Sequence, residues 1–251
     1  MGTVHTRREG ALLTLTLDHP GKANALDFAM LREFERQLGI VEQDPGVRVV
    51  LLRGTPGGTF SSGADVRDWG PLPPRQFAHD WIDFGNRLFD RFERLRCPTV
   101  AAIEGVCFGG GLELALCADL RVASSGATFR FPEVGIGAIP GWQGGVRLAR
   151  MAGRGRALEA VLSLCTLDAA RAERWGLLNA VWDGAAFEQE LAALAARLAA
   201  VSPHAAALAK EAILWSAEPG EFHAAAGAEI KGSIDAAIGL QAFRDKCKPV
   251  F

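Results

Sequence analysis

An α/β fold, with parallel strand pairing in its first half and helices closing its second, is what the sequence predicts, and three observations predict it. Strand-like apolar runs alternate with amphipathic helical runs from residue 11 to about residue 123. Glycine-rich stretches follow two of the strand-like runs, where α/β chains often bring backbone up to a ligand. From about Arg147 onward the remaining periodicities are helical.

Residues 11–17, ALLTLTL, alternate leucine and threonine as a half-buried strand does. DHPGKANALD is a turn-rich connection that leaves Asp27 as the N-cap of a helix to about Val41. Leu31, Phe34, Leu38 and Val41 form its one apolar stripe, and Asp44-Pro45-Gly46 ends it. VRVVLL, residues 47–52, reads as a buried strand and leads into GTPGGTFSSGAD. After PLPP a long amphipathic helix puts Phe77, Trp81, Phe84, Leu88, Phe92 and Leu95 on one face, a core pattern. Pro98–Ile103 is the next strand, and a short one lies near Asp119–Ala123. Helices over 147–164, 168–175, 187–201 and 203–216 complete the pattern. Three strand-turn-helix units share a shape without sharing a sequence repeat.

The bulk numbers narrow the function. The chain has 251 residues, 49% of them hydrophobic, enough for one large core with an appendage. With 29 acidic and 27 basic side chains and a net charge of −2, it offers no electrostatic case for nucleic acid as a partner. Cys97, Cys107, Cys117, Cys165 and Cys247 form no C-x-x-C pair, so free thiols serving as core filler in a reducing compartment are expected. No apolar run reaches the length of a membrane span, and the first residues lack a signal peptide's apolar region; the match of Met1–Thr6 to a myristoylation pattern is read as chance. The expectation is a cytoplasmic protein with no membrane partner. No H-E-x-x-H or Cys/His cluster is present, so no metal is expected.

The chemistry concentrates between Cys107 and Gly141. Gly109-Gly110-Gly111 separates a strand-like run from an apolar helical run, and two glutamates follow, Glu113 and Glu133, the second in a Phe-Pro-Glu turn. Glycines there let a backbone N–H approach a ligand oxygen, and a helix N-terminus adds a positive dipole end. Paired carboxylates beside an N–H that polarises a carbonyl are equipment for moving protons next to that carbonyl. Read singly, each feature also has a structural explanation: three glycines make a tight turn, and the helix dipole alone favours a glutamate in a first turn. FGGGLE lacks the G-x-G-x-x-G spacing of a dinucleotide site.

Four ordered motifs carry a more specific resemblance. KANALD (22–27), FSSGADVRD (60–68), IEGVCFGGGLELALCADLRVAS (103–124) and FRFPEVGIGAIPGWQGGVRL (129–148), with the ending AFRDKCKPVF (242–251), resemble the crotonase family, the enoyl-CoA hydratase/isomerase superfamily. The resemblance covers nearly the whole chain. It implies a spiral of ββα units over residues 1–200 carrying an acyl-CoA site, and a helical region over 201–251 used for trimerisation, giving a homotrimer or homohexamer.

It also implies roles for particular residues. Ala64 and Gly110 supply the two backbone N–H groups of an oxyanion hole, and Glu113 and Glu133 are the catalytic carboxylates. Ser62, Asp65, Val66 and Arg67 fall where the family's loop embraces CoA. Lys22, with Ala23, falls where a basic side chain faces the CoA phosphates, Gly141 near the catalytic water, and Lys248 and Phe251 where the C-terminus contacts CoA on a neighbouring subunit. No cofactor is implied beyond the acyl-CoA substrate. The activity implied is syn addition of water to a trans-2-enoyl-CoA, giving a 3-hydroxyacyl-CoA, because two glutamates flanking one water suit hydration. The rivals are a Δ3,Δ2-enoyl-CoA isomerase, which needs one shuttling base, and a non-catalytic acyl-CoA-binding homologue, which needs no ionisable site residues. Arg67-Asp68 stands where many members carry Lys-Glu, and Trp142 is bulky where hydratases commonly carry something small, so either a reshaped acyl pocket or a merely packed aromatic is open at that position.

Overall fold

A computed structural model describes residues 1–214 and 219–251. The chain begins with β1 (Thr3–Glu9), β2 (Leu12–Asp18), α1 (Phe28–Gln43) and β3 (Val49–Gly54). Two short helices, α2 (Val66–Trp69) and α3 (Pro74–Gln76), lead through a π-helical turn over Phe77–Asp83 into α4 (Phe84–Glu93). Next come β4 (Thr99–Ile103), β5 (Val106–Phe108), α5 (Gly109–Ala115), β6 (Leu120–Ser124) and β7 (Thr128–Arg130). A 3-10 turn over Glu133–Ile136 precedes α6 (Gly144–Ala152) and α7 (Arg154–Leu162). The remainder is β8 (Leu167–Asp168), α8 (Ala169–Arg174), β9 (Ala180–Trp182), α9 (Phe187–Ala199), α10 (Pro203–Leu214), α11 (Pro219–Lys231) and α12 (Ile234–Arg244).

The main sheet has the order β1-β2-β3-β4-β6-β9, parallel throughout except where β1 pairs antiparallel with β2. Both faces are covered, which explains why VVLL in β3 and TVAAI in β4 are apolar or small without interruption. Val49, Leu51, Val100, Ala102 and Val122 pack against Phe187 and Leu191 of α9. The alternate residues, Val50, Leu52, Ala101, Ile103 and Ala123, face the larger core with Phe34 of α1 and Phe89 and Phe92 of α4.

A second, smaller layer lies beside the first. Its regular part is β5-β7-β8, and single parallel bridges extend it, Ser61 to Cys107 and Leu26 to Ala64. Each main-sheet strand from β2 to β4 is therefore followed by a short segment in this second layer and then by a helix: β2, Leu26, α1; β3, Ser61–Ala64, α4; β4, β5, α5. This is the spiral of ββα units that the resemblance implied. The site segments lie at the second-layer step of consecutive turns, so parallel stacking of the turns brings residues 61–64 alongside residues 106–110.

Several elements differ from expectation for local reasons. β1 was not foreseen, because TVHTRRE carries only one buried residue, Val4, and is an edge strand with a polar face. The predicted strand at Val47 begins at Val49, since Val47 N–H closes a turn onto Asp44 O at 3.0 Å. The helix predicted over 147–164 is two helices, broken by Gly153 at φ +88°. The single amphipathic helix predicted from Phe77 onward starts with π geometry. The last two residues of the helix predicted to Ser216 lie outside the described residues. Cys107 and Cys117 are buried filler as expected, whereas Cys247 is exposed. No single helix among the described residues is long and apolar enough to cross a membrane.

The expected N-cap is Asp27, and it does more than cap. Oδ1 accepts Met30 N–H at 2.8 Å, and Oδ2 accepts Gly2 N–H at 2.7 Å, tying the start of β1 to α1 at a site 5% exposed. Asp27→Ala is expected to cost about 2–4 kcal/mol, because it removes a cap and orphans a buried N–H. Urea denaturation measures it, and a loss under about 1 kcal/mol would place the tie outside the stability of the fold.

Candidate active site

The glycine run opens α5, and each glycine is there for a different neighbour. Gly109 has φ +48°, and a Cβ on it would lie 2.9 Å from Glu133 Oε1. A Cβ on Gly110 would lie 2.5 Å from the Trp142 ring and 3.2 Å from Ala64 N. Backbone N–H groups of Gly110 and Ala64 are thus neighbours across two strand turns, held by Leu26 N–H to Gly63 O at 2.7 Å and Phe108 N–H to Ser61 O at 2.9 Å. Ala64 N–H has no acceptor among the described residues. Gly110 N–H lies in the first turn of α5, where a helix leaves its donors without an intrahelical partner. Two free N–H groups side by side make a receptor for one negatively charged oxygen.

Glu113 follows one turn into α5 and is 2% exposed. Its Oε1 accepts Trp142 N–H and Gly144 N–H, both at 2.9 Å. Between those donors Gln143 adopts φ +65°, which turns both N–H groups onto one oxygen. Gly144 is also the first residue of α6, so the carboxylate sits at a helix N-terminus. Burial pushes the Glu113 carboxyl up to about 8; the Gly144 and Trp142 N–H groups and Arg147 pull it down, while the Glu133 charge adds to the rise. Arg147 is itself buried, donating to Trp142 O at 2.7 Å and pairing with Asp90 at 2.7 Å and Glu93 at 2.9 Å.

Glu133 starts the 3-10 turn after Phe-Pro, and burial pushes its carboxyl up to about 7. Its Oε2 is buried without a hydrogen-bond partner. Both glutamates line one cavity of about 130 Å³, with Ser62, Ala64, Val66, Gly110, Gly141 and Trp142. The π-helical turn contributes Phe77, Trp81 and Ile82 to its wall.

The other residues singled out in the sequence fall in two groups. Lys22 and Ala23 lie beside the cavity loop: Ser62 N–H donates to Ala23 O at 2.9 Å, and Ser62 Oγ donates to Lys22 O at 3.1 Å. Lys22 Nζ pairs with Asp65, so its charge already has a partner in the chain. Burial raises the Asp65 carboxyl, but the Lys22 ammonium and Arg67 N–H outweigh it and hold Asp65 below the usual range. Arg67 is exposed and does not line the cavity. Lys248 and Phe251 are not among the cavity residues; Phe251 O instead accepts from Arg48 Nη1 at 2.9 Å. Gly144, Arg147, Trp81 and Ile82 were missed. The WQGGVR sequence carried the signal for Gly144, since a helix starting there presents first-turn N–H groups. Among the described residues no group of three or more His, Cys, Asp or Glu is placed to hold a metal ion.

Paired N–H donors beside two carboxyls raised by burial are the class of arrangement suited to moving protons next to a carbonyl whose oxygen becomes an anion. More particularly, residues 7–251 match the enoyl-CoA hydratase/isomerase family, and the chain belongs to it. It is similar to a probable mitochondrial enoyl-CoA hydratase 2 from Arabidopsis thaliana, 34% identical over 97% of this chain and 82% of the relative. It is also similar to a crotonyl-CoA hydratase from Syntrophomonas wolfei, 32% identical over 94% and 85%. Among solved structures, an enoyl-CoA hydratase from Bacillus anthracis superposes with a TM-score of 0.94 at 29% identity, covering 99% of this chain and 98% of that one.

The raised carboxyl of Glu113 has a consequence for stability. Between its ordinary value of 4.5 and about 8, the folded chain keeps a proton here that the unfolded chain has lost. Stability from this group is therefore full at acid pH and falls as pH rises through that window. Glu113→Gln keeps an oxygen for the Trp142 and Gly144 N–H groups and removes the decline. The variant is expected to match the native protein near pH 5 and exceed it at pH 8 by on the order of 3 kcal/mol. Denaturant titrations at the two pH values check this, and a difference that does not change with pH would refute it.

Proposed function

We propose that this protein is a 2-enoyl-CoA hydratase, adding water syn across the double bond of a trans-2-enoyl-CoA to give a 3-hydroxyacyl-CoA. What carries the reading is that Glu113 and Glu133 share one cavity with the N–H groups of Ala64 and Gly110. The thioester oxygen sits between those two donors. Water attacks C3 and gives a proton to the Glu113 carboxylate; the C2–C3 π pair moves to make the enolate, whose charge the two N–H groups hold. The enolate collapses as C2 takes a proton from the Glu133 carboxylic acid. Proton transfer from Glu113 to Glu133 restores the starting state, so atoms and charge balance. Each N–H is worth on the order of 3 kcal/mol to the transition state. No cofactor enters the sequence of steps.

The assignment of acid and base rests on the hydrogen bonds. Without substrate, burial raises both carboxyls, so burial alone does not divide the roles between them. An acyl group over Glu133 removes its remaining water and raises it further. Glu113 keeps two N–H donors that favour its anion, whereas Glu133 Oε2 has none. In the closed site the proton therefore belongs on Glu133. The pair titrates as a unit, and kcat/KM is expected to be bell-shaped, with limbs near neutrality.

The second proposal for this reading is assembly in multiples of three, through residues 201–251 beyond the spiral core of 1–200. The C-terminal helices expose Ile213, Ile234 and Phe243 at 82%, 78% and 84%, and among the described residues after Pro203 only Ala207 and Ala242 are buried apolar ones. Sedimentation equilibrium is expected to give a trimer or hexamer at micromolar concentration; a monomer would remove this part.

The test of the reaction is loss of the conjugated-thioester absorbance of crotonyl-CoA. Glu113→Gln and Glu133→Gln are each expected to lower kcat by about 10²–10⁴ while leaving the fold intact, with losses that do not multiply in the double variant. Glu133→Gln is expected to suppress exchange of α-protons into deuterated solvent, and Glu113→Gln to impair hydration more than exchange. Hydration surviving Glu113→Gln alongside fast 3-enoyl-CoA turnover would hand the site to isomerisation. Indifference of every turnover to both changes would leave a binding protein.

A further inference from the structure

The hydration chemistry uses only the backbone of Trp142, whose N–H serves Glu113. Its indole is 1% exposed, yet it lines the cavity together with Glu113, Gly110 and Gly141. The ring lies against the second oxyanion donor, since a Cβ on Gly110 would meet it at 2.5 Å. It lies equally close to α4, where a Cβ on Gly85 would lie 2.1 Å from Nε1. Two helices have thus given up side chains around one ring. Nε1–H donates to Trp81 O at 3.2 Å, and the ring packs on Trp81 and Phe89 with centroids 5.2 Å and 4.9 Å away. Trp81 in turn meets Phe28 edge-on at 4.7 Å. With its N–H satisfied and aromatic rings packed around it, the indole cannot swing aside without displacing buried neighbours.

We propose that Trp142 is the specificity-determining residue of this site, an indole wall just past the oxyanion donors that admits short acyl groups and stops long ones. This deepens the acyl-CoA reading given above and rests on it. An acyl group whose thioester oxygen lies between Ala64 N–H and Gly110 N–H starts beside this ring, and its inward path ends on Trp142, Trp81 and Ile82. The alternative path runs outward past Ile136 and Ile139, 62% and 76% exposed at the mouth. A chain taking that path would ignore residue 142.

The test uses calorimetric titration of the native protein and of Trp142→Phe and Trp142→Ala with butyryl-, octanoyl- and lauroyl-CoA, which are saturated and do not turn over. In an open apolar channel each added methylene tightens binding, so affinity rises with length. The native protein is expected to invert that order, binding butyryl-CoA at least tenfold more tightly than lauroyl-CoA. Trp142→Ala is expected to shift that ratio back toward lauroyl-CoA by tenfold or more, with Trp142→Phe in between. Near-UV circular dichroism checks the fold; if the alanine variant does not fold, the native order and the phenylalanine variant decide. Lauroyl-CoA binding the native protein as tightly as butyryl-CoA, or a ratio unmoved in the folded variants, overturns the proposal. If the length discrimination depends on residue 142 but crotonyl-CoA is not hydrated, the hydratase reading fails and the wall stands. If none of the three acyl-CoAs binds, both fail.

Discussion

A carboxylate has been taken out of water at Glu113, and much of the surrounding structure is arranged to tolerate it. With 2% of its surface exposed, Glu113 has lost its hydration, and the chain restores part of it through two N–H groups on one oxygen. Supplying both from adjacent residues requires Gln143 to sit in the left-handed region, a conformation costing on the order of 1 kcal/mol for a non-glycine residue. Arg147 then fixes that turn by binding Trp142 O, and Asp90 and Glu93 fix Arg147. One carboxylate thereby couples α5, α6 and α4. The same arrangement limits the rise of the carboxyl, because burial, the larger effect, pushes it up while the two N–H donors and Arg147 pull it back.

The second constraint is steric. Bringing Ala64 N and Gly110 N to the same point means bringing two backbone segments closer than side chains allow. Gly110 makes room for Trp142 and Ala64 N, and Gly111 for Ser61, whose Cβ would be 2.5 Å from a Cβ there. Each glycine in a helix costs roughly 0.5–1 kcal/mol against alanine. α5 spends its first turn on three of them and remains helical because every one of its residues is buried against the core. Gly85 bears the same relation to Trp142 in α4. Local propensity has been overridden at the places where the site needs close approach, and packing elsewhere carries the helices.

This explains which parts were legible in the sequence. The buried strands announced themselves by unbroken apolar runs, and Asp27 announced a helix by its position before FAML. The glycine run and the two glutamates were visible as residues, while their convergence was not, because it depends on stacking of successive spiral turns. The short strands β5, β7, β8 and β9 have two or three residues each, too few to show a period. β1 hid behind polar residues at a sheet edge. The donors to Glu113 were hidden for another reason: they are backbone groups, and a sequence displays side chains. Trp142 was read in two ways, as a pocket wall and as a packed aromatic, and its position makes it both.

The placement of Phe251 bears on how one CoA molecule could meet both Ser62 and Lys248. Ser62 and Ala64 lie beyond the C-terminal end of β3, at the cavity. Phe251 is held by Arg48, immediately before the N-terminal end of the same strand, and Arg48 also binds Val201 O. Six strand residues separate those ends, on the order of 20 Å at about 3.3 Å per residue. Parallel strands place their ligand-binding loops at their C-terminal ends, and here the chain terminus is fastened at the opposite edge. Lys22, which lies on the cavity side, is already paired with Asp65. Within one copy of the chain, a contact between Lys248 or Phe251 and CoA in this cavity has to bridge that distance, and the assembly proposed above offers a second route, through a copy docked on the exposed apolar residues of α10 and α12.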